Sequence, residues 1–474
     1  MKKTIKFFSM AALAMLGAMT VSCSSDNDEL LSEQPVNKDN VVTMTLTVNM
    51  DEAGTRALTE GGVKTFAAGD KIAVIYKRSG SGTVQVESEA LTADAGNSAT
   101  FTVTLTNPTA SSKFRIVYPA AMAEIGGNGA DPNNDNATLN FTKLCSQQDG
   151  TLATLGSTFD VATYDGTLTS SATLPSGTFS LTNKLSIAKF KISDGTDDIT
   201  GNITKLNIVA GSDAYNVTTT TGKTYIYVAM KPYTGALTIN ANTSDKSYYK
   251  SVASGTLTLS HITPINLTVA EKTAQDGVAL ASVNDDAYLG WVVWSNGKAY
   301  DPAKAMPTTG SAQGMIGYVG SASSCTHGLA IALEDVSSNL LSWNNTGTNN
   351  NSMTASAWCS EWNTSHSVTG ITESPSATAG WRLPSPTDFG SMFQACGGDA
   401  ATVPTSEGTW TNCNYGTFCT KLLNAGGANM TQYYWTSQQT NWSTIMYYYY
   451  SFESKWFFSN THETPRFVRA VLAF

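Results

Sequence analysis

The segment VTMTLTVNM places Val42, Met44, Leu46, Val48 and Met50 on one side of an extended chain and Thr43, Thr45, Thr47 and Asn49 on the other. A period of two fits a strand with one buried face and fits no helix. Comparable runs recur at 71–76 (KIAVIY), 99–105 (ATFTVTL), 114–120 (FRIVYPA), 185–192 (LSIAKFKI), 223–230 (KTYIYVAM), 236–241 (ALTINA) and 265–269 (INLTV). Gly, Asn, Asp and Ser separate them, and no helical period intervenes. The region 41–270 is therefore expected to be mainly β, as two tandem β-sandwiches over 41–160 and 161–270. Their join is expected in the Gly- and Ser-rich stretch 152–176.

A chain of 474 residues exceeds one ordinary core, and about three domains are expected. The texture changes after a polar linker at 270–277: all ten tryptophans lie between Trp291 and Trp456. Runs at 288–294, 327–335, 445–452, 455–458 and 466–474 read as strands. SPTDFGSMFQAC, 385–396, reads as a helix with Thr387 as N-cap, Asp388 in its first turn and Phe389, Met392 and Phe393 on one face. The stretch 342–362 reads as a loop. Few helices among many strands predict a compact α+β domain over 278–474.

Twenty-eight basic residues against 37 acidic give a net charge of −9. From Lys272 onward the balance is 8 − 13 = −5. Neither half carries the clustered cations that a nucleic-acid partner requires. The N-terminus has Lys2, Lys3 and Lys6 before an apolar run from Phe7 to Val21 ending at Ser22-Cys23, the pattern of an export signal over 1–22. A Cys at that point, after a small residue, resembles a bacterial lipobox. The resemblance implies acylation of Cys23 and an outer-membrane anchor, although Thr20 departs from the usual Leu. The polar, acidic stretch 23–40 then resembles the tether of surface-exposed lipoproteins.

Cys145 stands alone, whereas Cys325, Cys359, Cys396, Cys413 and Cys419 share the Trp-rich region. Five thiols permit at most two bridges there, and buried free thiols are the other reading. No CxxC pair exists and the histidines are scattered, so no metal site and no cofactor are expected.

FAAGDKIAVI (66–75), VYPA (117–120), KFKISDG (189–195) and YIYVAMKP (225–232) resemble the fimbrillin, or Mfa-like, family of type V pilus proteins. That resemblance implies two transthyretin-like sandwiches, other fimbrial subunits as partners, and assembly by β-strand complementation. It also implies proteolytic processing after a basic residue that follows the first strand. Arg56 in GTRA is the matching position, with Ala57 as the new N-terminus. The physical basis is that an unpaired sheet edge offers backbone donors and acceptors to another strand.

GWRLPSPTDFGSMF (380–393), YYWTSQ (433–438) and FVRAV (467–471), in this order, resemble the major-paralogous-domain branch of the C-type-lectin-like fold. Trp381, Arg382, Leu383, Pro384 and Trp435 carry that motif and are expected to be structural. The EPN, QPD and WND triplets of calcium-dependent lectins are absent, so calcium-dependent sugar binding is not expected. No catalytic residue set is visible, and the chain is not expected to be an enzyme. In NWSTIMYYYYSFESKWFF, 441–458, alternation should turn some rings outward. Trp442, Tyr447, Tyr448, Tyr449, Tyr450 and Trp456 are the candidate ligand-binding residues, for a host or bacterial surface glycan or protein. The sequence thus points to a fimbrial tip or accessory subunit and adhesin at the cell surface. The alternative is a non-fimbrial surface lipoprotein that binds glycan or peptide.

Overall fold

The alternating run forms the strand Val41–Met50, and its period of two has a direct consequence: Leu46 and Val48 are buried while the threonines face outward or sideways. In the computed structural model the described residues are 40–50, 57–59, 62–63, 65–126, 129–322, 324–343, 354–371 and 380–474. Cys23 and Arg56 lie outside them. Ala57 opens a short strand, Ala57–Thr59, paired with Gly62–Val63. Among the described residues no helix is long and apolar enough to cross a membrane.

The first sheet has seven strands in the order Gly82–Glu87, Ala73–Arg78, Lys113–Tyr118, Ala162–Thr167, Thr178–Asn183, Val41–Met50 and Ser98–Thr106. Its two halves meet through only two residue pairs, Ala162 with Asn183 and Thr163 with Thr182. The sheet closes on itself at that weak seam. Phe66 shows the closure: its ring lies 5.5 Å from Phe101 and 5.0 Å from Tyr118, on strands that three others separate in the sheet. Strands 162–167 and 178–183, expected in the second sandwich, thus complete the first. The change of sheet falls between Asn183 and Ser186, because backbone pairing and not loop composition decides which layer a strand joins.

The second sandwich stacks three strands (Ile226–Met230, Ser186–Ser193, Ile262–Thr268) on five (Asp213–Thr218, Lys205–Ala210, Tyr233–Asn242, Ser247–Leu257, Ala270–Glu271). Phe190, Ile192, Ile208 and Ile239 fill the space between, each at most 1% exposed. Both sandwiches share one wiring. The opening strand lies between an antiparallel neighbour and a parallel strand from late in the sandwich: Val41–Met50 between 98–106 and 178–183, and Ser186–Ser193 between 226–230 and 262–268.

Short helical segments interrupt the β pattern between Ala120 and Phe159, at Asp135–Thr138, Phe141–Ser146 and Leu152–Thr154 among others. They are too short to show a helical period in sequence. Their Leu144, Leu155 and Phe159 pack into the second sandwich's core. Gln148 satisfies the edge strand 226–230, donating to Ala229 O and accepting from Ala229 N, both at 2.8 Å.

The third region combines a seven-stranded sheet, centred on Ala312–Val319 and Gly328–Ala332, with a four-stranded sheet ordered Thr411–Asn412, Trp456–Thr461, Met446–Ser451, Tyr433–Gln439. Helices Ala355–Ser365, Pro386–Ala395 and Phe418–Asn424 accompany them. The first of these replaces part of the loop expected at 342–362; Thr354 caps it by accepting from Ala357 N at 3.1 Å. Two buried arginines make inward ion pairs. Arg115 reaches Asp165 at 2.6 and 2.9 Å and Asp135 at 2.7 Å, and Arg469 reaches Asp335 at 2.6 Å.

Candidate functional site

The strand Val41–Met50 is internal, and its environment is that of a plug. One side exchanges hydrogen bonds with 98–106 over a nine-residue register, and the other pairs with 178–183 in parallel from Thr47 to Met50. Thr43 and Thr104 hydroxyls meet at 3.0 Å across the first of these seams. Leu46 and Val48 enter the sandwich core, with Met44 and Met50 half-buried beside them. Removing this strand would strand a row of backbone donors and acceptors on both neighbours and open the core. Two fully buried aliphatic side chains contribute about 1.5–3 kcal/mol each.

The residues of the WRLP motif are packed and hydrogen-bonded within the C-terminal region. Trp381 is buried, its ring N–H donating to His366 O at 2.7 Å, while Asn363 accepts from Trp381 N and donates to Trp381 O. Leu383 is buried and Pro384 O accepts from Ser437 N at 2.8 Å, tying the motif to the YYWTSQ strand. Trp435 in that strand is fully buried and donates to Leu341 O at 2.9 Å. Arg382 grips the buried Asp388 carboxylate at 2.6 and 3.0 Å, and Ser324 Oγ donates to it at 2.6 Å. The N-cap of the following helix is Ser385, not Thr387. Its hydroxyl accepts from Asp388 N while Asp388 accepts from Ser385 N, a capping box with Pro386 at the first helical position. Burial alone would raise the Asp388 carboxyl, but Arg382 and the hydrogen bonds hold it below its ordinary value.

The tyrosine run is not an exposed face. Tyr448 and Tyr450 are 1% and 0% exposed; the Tyr448 hydroxyl donates to Pro404 O at 2.9 Å and the Tyr450 hydroxyl to Cys413 O. On the opposite side Tyr449 is buried beneath Arg466 and stacked on Phe458, and Tyr447 stacks on Trp343 at 3.6 Å. Trp442 packs edge-on against Tyr448, with its ring nitrogen buried. Alternation did turn successive rings to opposite faces, but a second layer covers each face.

Trp456 is different. It is half-buried and stacks on Trp410, with ring centroids 5.3 Å apart and planes 10° from parallel, and Phe458 extends the group. Trp410 is 54% exposed, more than any other aromatic residue with a described side chain. The pair arises from strand register, since Asn412 pairs with Trp456 and Thr411 with Phe457, placing Trp410 just beyond the ladder over the same face. Trp410 was not among the expected binding residues, because in TWTNC the apolar Trp410 and Cys413 stand three apart and show no strand alternation. Flat aromatic surface held in place by stacking offers large contact area at low entropic cost.

All six described thiols, Cys145, Cys325, Cys359, Cys396, Cys413 and Cys419, are free. Burial pushes Cys396 up to about 11 and Cys359 and Cys413 up to about 12. These are packing residues and poor nucleophiles at neutral pH. Among the described residues no cluster of His, Cys, Asp and Glu has the makings of a metal site.

No family model and no curated protein matches this sequence. Solved structures similar to it include a fimbrial protein from Bacteroides ovatus, 14% identical, with 91% of this chain and 100% of that one covered at a TM-score of 0.26. A fimbrial assembly protein from Parabacteroides distasonis is 10% identical over 49% of this chain and 93% of its own, at a TM-score of 0.26. The C-terminally truncated tip fimbrial protein Mfa3 from Porphyromonas gingivalis is 9% identical over 50% and 83%, at 0.22. The mainly β architecture of this chain rests on its own strands.

Proposed function

We propose that this chain is an exported cell-surface fimbrial subunit of tip or accessory type, an adhesin assembled with other subunits by β-strand complementation. The observation that carries the reading is the position of Val41–Met50, an internal strand joined to the rest of its sandwich through the segment that contains Arg56. Cutting after Arg56 severs its only covalent link to that sandwich, so the strand can leave and a subunit's extended segment can take its place. In this reading Cys23 carries the acyl anchor of the precursor at the outer membrane, and the motifs at 66–75, 117–120, 189–195 and 225–232 belong to a fimbrillin-like stem.

The domain 278–474 is, in the same reading, a lectin-like binding module without enzymatic activity, and Trp410 with Trp456 forms its ligand-binding ledge. Purified fibres from the native cell test the assignment: this chain should co-purify with them in a ladder that survives detergent. Its recovery solely as an uncut monomer in the membrane fraction would overturn it. A second reading, a surface lipoprotein that captures glycan or peptide without entering a fibre, is favoured by the ledge itself, which needs no strand exchange to function.

A further inference from the structure

A cleft of about 330 Å³ opens where the second sandwich meets the C-terminal domain. Its size falls in the range of small-ligand sites. The junction is tied on one side by Thr420 Oγ1 donating to Gly211 O at 2.6 Å and Asn429 Nδ2 donating to Ser212 O at 2.7 Å. Val209, Ala214 and Leu423 form a small buried cluster beneath. The cleft is thus framed by two domains that touch through specific contacts.

Its two walls differ in chemistry. One is the outer face of the five-stranded sheet, where strand register sets Asn240, Asn207 and Asn216 abreast. Asn207 donates to Asn216 Oδ1 at 2.8 Å and Asn240 donates to Asn207 Oδ1 at 3.3 Å. This row leaves amide donors and acceptors over, since each amide can make several bonds. The neighbouring rank places Lys205 between Asn242 and Thr218. The opposite wall is apolar, with Trp294, Met306 and Leu423. Asn424 also lines the cleft, and its side-chain oxygen is buried without a hydrogen-bond partner.

The charge is one-sided. Lys205 and Lys272 are the charged residues that line the cleft, and no carboxylate joins them, in a chain whose net charge is −9. Lys272 is half-buried and donates to Pro302 O at 2.8 Å; burial lowers its titration and Asp301 opposes that.

From this arrangement we infer that the interdomain cleft is a binding site for a carboxylate-bearing pyranose, such as a uronic-acid residue of an acidic glycan. A pyranose ring has an apolar C–H face, which suits Trp294 and Met306, and a rim of hydroxyls, which suits the asparagine row. The ring carboxylate meets Lys205 and Lys272. The site shares no residue with the Trp410 ledge and does not depend on fibre assembly.

Calorimetric titration of the full mature chain with D-glucuronate, D-glucose and an N-acetylated glutamate dipeptide tests this. Saturable glucuronate binding is expected, at least tenfold tighter than glucose and than the dipeptide. K272Q should bring glucuronate down to the level of glucose. N240L should abolish binding of both sugars, with N216L, at an exposed strand position, as the check if N240L fails to fold. No saturable glucuronate binding, equal binding of glucose or dipeptide, or persistence in N216L would each overturn the inference.

Discussion

The Trp410 ring stacks on Trp456 within 10° of parallel while remaining 54% exposed, whereas Tyr448 and Tyr450, one strand away, are sealed from solvent. The same stretch of sequence thus supplies both a core and a surface. The difference lies in what covers each ring.

Truncation should separate the two. Trp410→Ala should cost only about 0.5–1.5 kcal/mol of stability, the worth of one aromatic pair, yet remove adhesion to any ligand that uses the ledge. Tyr450→Ala should cost about 3–5 kcal/mol, as for other large buried rings. Urea unfolding monitored by tryptophan fluorescence, alongside a glycan and matrix-protein binding screen, measures both effects. A Tyr450→Ala protein of native stability would show that the tyrosine layer is not core.

Asp388 gives a pH dependence whose sign is fixed. Its folded-state value lies below the ordinary one, so its contribution to stability is fully present above about pH 4 and is lost as pH falls through the folded value. Asp388→Asn should therefore destabilise at neutral pH and flatten the acid limb of the stability profile. Thermal unfolding between neutral pH and pH 2 checks this. An unchanged acid limb in the variant would mean that the Arg382 grip contributes nothing.

In the Arg469–Asp335 pair the arginine is fully buried and the carboxylate mostly so, and one partner alone is costly. Arg469→Met should destabilise by about 3–5 kcal/mol because an uncompensated carboxylate remains. The double variant with Asp335→Leu should recover much of that loss. Chemical denaturation of the three variants provides the comparison.

The five thiols of the C-terminal region should resist alkylation in the folded protein at pH 8 and all react once it is unfolded, because burial both hides them and raises their titration. Intact-mass counting of carbamidomethyl groups reads this directly. With Cys145 counted, the chain from Ala57 onward should gain six groups on unfolding, and fewer than six without reductant would reveal a disulfide.

Much of this architecture was legible from periodicity. The runs at 99–105 and 236–241 became the strands Ser98–Thr106 and Tyr233–Asn242, and 385–396 became the helix Pro386–Ala395. What escaped was either too short or decided by partners. The one- and two-turn helices between Ala120 and Phe159 carry no measurable period, and Ala355–Ser365 is a helix in a stretch whose Ser, Thr and Asn read as loop. The sandwich boundary moved because the strands 162–167 and 178–183 find their partners in the first sheet. The binding surface moved from the tyrosine run to Trp410 because exposure depends on the layer above a strand, which no alternation in that strand records.

The central claim, a strand that can be replaced, is tested most directly by cutting the purified chain after Arg56 with trypsin and adding a fluorescent peptide of residues 41–50. One peptide is expected to enter each cleaved molecule, with displacement of the native strand, and none to enter the uncut chain. Equal uptake by both forms, or none by the cleaved form even after its own strand has been removed under mild denaturation, would contradict it.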